Sequence, residues 1–124
     1  MELVRVANPS RGTVLGWRVG VADRWWLRLR GLLGKPGLAE GEGLLLIPCR
    51  AIHMTGMRFV LDVGFLDAER RVVALYSGLG PGGRTRWHRT ARQALELPAG
   101  TFAATRTEVG DMLETTPCTL GATG

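Results

Sequence analysis

The sequence predicts a mainly β (α+β) protein. Its expected form is a small, mostly antiparallel, barrel-like sheet of about seven short strands, with one amphipathic helix near 23–33 and one helical turn near 101–106. Three observations predict this. Several short runs carry apolar residues at every second position, turn-forming residues separate them, and only one segment has helical spacing. Strands do not alternate with helices at crossover spacing, which argues against a doubly wound sheet. With 124 residues and no internal repeat or linker, residues 1–124 read as a single domain.

The first two strands are expected at Leu3 to Ala7 and Thr13 to Val21, joined by a turn through Asn8-Pro9-Ser10-Arg11-Gly12. In the second, Leu15, Trp17, Val19 and Val21 alternate with Gly16, Arg18 and Gly20, so those four define the expected buried face. The helix follows at Asp23 to Leu33. Asp23 is its expected N-cap, and Trp25, Leu29, Leu32 and Leu33 form its apolar stripe opposite Arg24 and Arg28. Gly34 and Pro36 stop it. Paired tryptophans could form a binding platform, but at helical spacing packing is the expected role. The helix is expected to plug one end of the sheet.

Gly43 to Pro48 is wholly apolar and reads as a strand covered on both faces. Arg58 to Leu66 and Arg71 to Tyr76 read as a hairpin turning at Asp67-Ala68-Glu69-Arg70. Ser77 to Thr90 is rich in glycine and arginine and reads as a mobile loop. Strands are expected again at Ala91 to Leu97 and Met112 to Thr115, with Thr101 to Arg106 open to either helix or strand. The tail 116–124 is expected to fray.

No run of about 18 apolar residues is present, which excludes a spanning helix. The N-terminus lacks a signal-peptide apolar segment, so a cytoplasmic location is expected. In that compartment Cys49 and Cys118 are expected to be free thiols. The net charge of +5 comes from fifteen arginines and the single Lys35 against eleven acidic residues. Spread from Arg5 to Arg106, this charge favours an ordinary solvated surface over a nucleic-acid footprint.

The ordered motifs GLLG at 31–34, GEGLLLIPC, IHMTGMRFVLDVGFLD, RVVAL, ALELPAG and VGDML resemble the family called domain of unknown function 192. The likeness runs from about Arg24 to Leu113 and includes the H-x-x-x-M-x-x-x-x-D spacing of His53, Met57 and Asp62. The family comprises small prokaryotic proteins, some soluble and some carrying an export signal. The resemblance implies a compact, strand-rich fold and supplies no catalytic residue. The loop Gly80 to His88 is richer in Gly and Arg than the family pattern, so a partner contact there would be particular to this member.

The leading candidate site lies in the stretch from Cys49 to Asp67, as a pocket formed by Cys49, His53, Met57, Arg58 and Asp62. On a helix, Cys49, His53 and Met57 would share one face and offer soft ligands to Cu(I) or Zn(II), but the spacing lacks the paired pattern of a zinc site. Packing of Met54 and Met57 in the core is the favoured alternative. A Cys49–His53 nucleophile oriented by Asp62 is the enzymatic reading, without the motif of a known thiol hydrolase around it. Asp62, mid-strand between Leu61 and Val63, needs partners there. They are expected to be backbone amides of the preceding loop or an arginine, pinning the 49–57 segment over the sheet. Arg84, Arg86, Trp87, His88, Arg89 and Arg92 have the composition of a phosphate or single-strand contact; a solvated loop with Trp87 folded onto the sheet is favoured instead. The expected function is therefore a small ligand-binding or accessory module. No cofactor is implied, a small molecule or protein is the expected partner, nucleic acid is disfavoured, and a membrane is excluded.

Overall fold

The computed structural model describes residues 1–30, 32 and 35–118, with the side chains of Trp25, Leu29 and Arg30 left out. Seven strands and two short helices follow in the order Leu3–Asn8 (β1), Thr13–Ala22 (β2), Trp25–Arg30 (α1), Glu42–Leu46 (β3), Leu61–Leu66 (β4), Val72–Leu79 (β5), Gln93–Pro98 (β6), Thr101–Thr105 (α2) and Glu114–Pro117 (β7). They form one sheet in the order β5-β4-β6-β3-β2-β1-β7. All neighbours are antiparallel except β2 and β3, which α1 joins as a parallel crossover. The β-rich class is as the sequence predicts; the crossover is not.

Two apolar clusters show how the sheet bends. Val4 and Val6 of β1, Leu45 of β3, Leu95 and Leu97 of β6, Leu66 of β4 and Val72 of β5 all meet in one cluster around Phe102 of α2. Residues from opposite ends of the sheet can meet only if it curls, so this is the concave face. The curl does not close into a barrel. Among the described residues its two edges touch where Val72 donates to Asp111 O at 2.8 Å and Leu113 donates to Arg70 O at 3.0 Å, beside an isolated bridge between Arg71 and Met112.

The convex face carries the second cluster, with Ala22, Leu44, Leu46, Leu61, Val63, Phe65 and Ala94 as its floor. Leu27, Leu32 and Leu38 cover one part of that floor. Ile52, Met54, Met57 and Phe59 cover another. The expected end-plugging helix is thus a different one: α2 fills the curl, while α1, Leu32 and Leu38 lie across the outside.

Several boundaries shift for local reasons. The first helical bond of α1 runs from Arg28 N–H to Arg24 O at 3.0 Å, which makes Arg24 the cap and leaves Asp23 one residue outside. Of the expected stripe, Leu32 is buried, whereas the side chains of Trp25 and Leu29 and all of Leu33 lie outside the described residues, as do Gly31 and Gly34 of the stop signal. Trp17 is 47% exposed instead of buried. The N–H groups of Trp17 and Arg18 both donate to Gly41 O, at 3.0 and 2.9 Å. This bulge adds one residue to β2 opposite β1 and leaves Trp17 outside; a second register shift, between Val6 and Ala7, adds another, so Leu15 still shares the concave cluster with Val19 and Val21. Arg58 to Val60 precede β4 instead of opening it, and β5 runs on to Leu79. The tail does not begin at 116: Val4 and Arg5 pair with Pro117 and Thr116, and Cys118 donates its N–H to Leu3 O at 2.9 Å. Residues 119–124 of the expected frayed tail lie outside the described residues. Both cysteines are free thiols.

Candidate functional site

The stretch expected to form one pocket is divided between the two faces of the sheet. On β4, Leu61, Val63 and Phe65 face the convex cluster, so Asp62 faces the concave one. Its fully buried carboxylate accepts the Gly78 N–H through Oδ1 and the Phe102 N–H through Oδ2, both at 3.0 Å. These are backbone amides, but of β5 and α2 rather than the preceding loop. Asp62 therefore anchors the helix inside the curl and does not reach the 49–57 segment.

That segment is extended, not helical. Met54 N–H donates to Gly83 O at 2.7 Å, Thr85 N–H to Ile52 O at 2.8 Å and His88 N–H to Arg50 O at 2.8 Å; His53 bridges Arg84 antiparallel. The chain expected to be a loose loop is thus zipped to residues 50–54 as a two-stranded ladder over the convex face. Alternation turns Ile52 and Met54 inward and leaves His53, Arg84 and Arg86 exposed. The Tyr76 hydroxyl secures it from below, accepting the Arg86 N–H at 3.1 Å and sharing a 2.7 Å hydrogen bond with His88 Nε2. Burial and the Arg86 charge lower the His88 pKa.

This geometry separates Cys49 from His53. Cys49 packs against the convex cluster and its thiol donates to Ala51 O at 3.3 Å, whereas His53 points to solvent. Met57, like Cys49, packs against the convex cluster, and Arg58 is exposed. Burial pushes the Cys49 thiol up, opposed by its hydrogen bond to the Ala51 carbonyl. A thiol held protonated is the reverse of what a nucleophilic pair requires. Among the described residues no three of His, Cys, Asp and Glu converge as a metal site.

One residue outside the sequence-predicted set stands out. On β6, Leu95 and Leu97 enter the concave cluster, so Glu96 faces the convex side beside Leu44 of β3 and Val63 of β4. There it is 5% exposed and has no hydrogen-bond or ion-pair partner among the described residues. Burial alone raises its pKa to about 7. It lies in the floor between the cover of Leu27, Leu32 and Leu38 on one side and the 49–59 segment on the other. Arg28 Nη1 donates to Ile47 O at 2.9 Å, two residues before Cys49, which packs against the same convex cluster. The pairing Leu3–Gly20–Leu44–Glu96–Val63–Tyr76 forms one row across six strands. Beside Glu96 in this row, Gly20 and Leu44 line a pocket of about 230 Å³, with Leu32, Leu38, Arg18 and Lys35 around it. The signal in the sequence is the alternation in ALELP, which sets Glu96 opposite two leucines.

The sequence profile of the DUF192 family, described as Uncharacterized ACR, matches residues 6–115. The chain belongs to the DUF192 family. A relative from Thermococcus sibiricus, named a UPF0127 protein, is 30% identical over 118 residues, covering 86% of this chain and 71% of its own. Among solved structures, a Novosphingobium aromaticivorans protein of unknown function shares the fold, with a TM-score of 0.77 and 23% identity over 90% of this chain and 83% of its own. A candidate transcription regulator from Sinorhizobium meliloti shares it as well, with a TM-score of 0.76 and 24% identity over 92% of each chain. Membership in DUF192 fixes the fold and brings no activity. Among the described residues no helix is long and apolar enough to cross a membrane.

Proposed function

We propose that this protein is a small-ligand-binding module whose site is the convex-face seam at Glu96, with Cys49 and Arg28 beside it. The observation that carries the reading is Glu96, a buried residue whose carboxyl has no hydrogen-bond or ion-pair partner among the described residues. An ionised carboxylate in such a place opposes folding, and groups of this kind concentrate where a ligand supplies the missing partner. Of the five residues expected to form the pocket, Cys49 alone belongs to this seam; His53, Met57 and Arg58 lie along the covering segment and Asp62 lies behind the sheet.

The chemistry of the seam limits the ligand. A carboxyl close to half ionised near pH 7, beside a protonated thiol, can both donate and accept hydrogen bonds. It suits a compact head group offering both, such as an amine, amide or hydroxyl. An apolar remainder would rest against Leu44, Leu32 and Leu38. Two free thiols fit work in the cytoplasm.

A thermal-shift screen of amines, amides and polyols with wild type, Glu96→Gln and Cys49→Ala tests this. A ligand of the seam raises the wild-type midpoint by mass action and loses that effect in Glu96→Gln, which itself folds at least as stably. Hits that survive Glu96→Gln unchanged, or a Glu96→Gln variant that is markedly less stable, would overturn it.

A further inference from the structure

We propose that the ladder of residues 50–54 and 82–88 is a second, separate site, and that it binds single-stranded nucleic acid. The charge distribution is the first support. Residues 43–61 and 77–95, the two segments that the ladder joins, contain no Asp or Glu and carry Arg50, Arg58, Arg84, Arg86, Arg89 and Arg92. Removing those six from the sixteen basic residues leaves ten, against eleven acidic ones elsewhere. These two segments therefore account for the net positive charge, and the ladder brings Arg50 together with Arg84 and Arg86 across more than thirty residues of sequence.

The side chains are also available. Arg58, Arg84, Arg86 and Arg89 are exposed and have no side-chain hydrogen bond or ion pair among the described residues. The ladder holds the backbone of Arg84 and Arg86 in place, so for these two the ordering costs are confined to the side chains. Phosphate is the natural counter-charge for unpaired guanidinium groups.

Trp87 separates a single strand from other polyanions. It is 69% exposed, not folded back onto the sheet, and the Arg50 guanidinium lies 6.0 Å from its ring centre. Arg50 is itself fixed, its Nε donating to Ala91 O at 3.0 Å. An indole held open among arginines offers a face on which an unpaired base stacks while phosphates track the cations. A duplex hides its base faces and a sulfated sugar has none.

Fluorescence anisotropy with labelled oligo-dT and oligo-rU of about ten nucleotides, close to the span of one single-strand site, tests the proposal, the two arms distinguishing DNA from RNA. Binding of either should weaken with salt, with a log–log slope no steeper than about −4 for six arginines. Arg84→Glu/Arg86→Glu should abolish it, and Trp87→Ala should weaken it by roughly ten-fold. Arg5→Glu/Arg106→Glu, the same charge change outside the ladder, should leave the affinity within about two-fold. The proposal is overturned if neither oligonucleotide binds or if the Arg5/Arg106 variant loses as much as the Arg84/Arg86 variant. It also fails if Trp87→Ala binds like wild type, or if duplex DNA or heparin binds as tightly as the single strands. None of these readouts depends on Glu96, so the two proposals stand or fall apart.

Discussion

Asp62 and Phe102, forty residues apart, are joined by a buried hydrogen bond from the Phe102 amide to Asp62 Oδ2, 3.0 Å long. The other carboxylate oxygen holds Gly78 N–H, at a register shift of β5 where Gly78 adopts φ +69°. One side chain thus fixes both the helix inside the curl and the bulge of an edge strand. Asp62→Asn keeps one acceptor and turns an amide N–H₂ toward a backbone donor. It should cost about 1–3 kcal/mol in urea unfolding, with no change in ligand or oligonucleotide affinity once folded.

Glu96 should make stability fall as pH rises. Its folded pKa, about 7, lies above the ordinary 4.5, so the folded state holds the proton more tightly between those values. The penalty is absent below about pH 4.5, grows through pH 7 and is complete above it, where it amounts to about 3 kcal/mol. Glu96→Gln should remove this slope and exceed wild type in stability at about pH 8, as read from denaturant midpoints at a series of pH values.

Asp111 should act in the opposite sense. Hydrogen bonds from Arg11 and Asn8, then from the Glu108 amide, hold its carboxyl below the usual carboxylate range. Its stabilisation is present above the unfolded pKa near 3.8 and is lost as pH falls toward the depressed folded value. Asp111→Asn should flatten the acid limb of the stability profile below about pH 4 and lower stability at neutral pH.

Tyr76→Phe should loosen the ladder without unfolding the sheet. It strips the Arg86 amide of its acceptor and His88 Nε2 of its partner. Amide hydrogen exchange should quicken across residues 84–88 while the β4 and β6 amides stay protected, at a global cost of about 1 kcal/mol.

How much of this is legible in the chain depends on distance along it. Hairpins and strands are readable because the alternation and turn residues that specify them are local, as in Leu61 to Leu66 and its return through Val72. Asp62 is recognisable as a carboxylate in need of amides, but the amides belong to residues 16 and 40 positions away. Trp17 misleads because a bulge, set by the Gly41 carbonyl, shifts the alternation. Glu96 escapes notice since a charged residue opposite two leucines signals a solvated face. Only the crossover through α1 and the folding back of residues 49–59 convert that face into an interior. The Arg84–Arg92 cluster is visible by composition, while its union with Arg50 and His53 requires the ladder.

The pairing of β1 with β7 has a consequence for synthesis. Val4 meets Pro117, so β1 leaves the ribosome long before the partner that covers its outer edge. Until then the nascent sheet presents the unpaired amides and carbonyls of Leu3–Asn8, an invitation to strands of neighbouring chains. That edge closes only when Glu114–Pro117 has been made and pairs with it, so the growing polypeptide is exposed to aggregation for most of its synthesis.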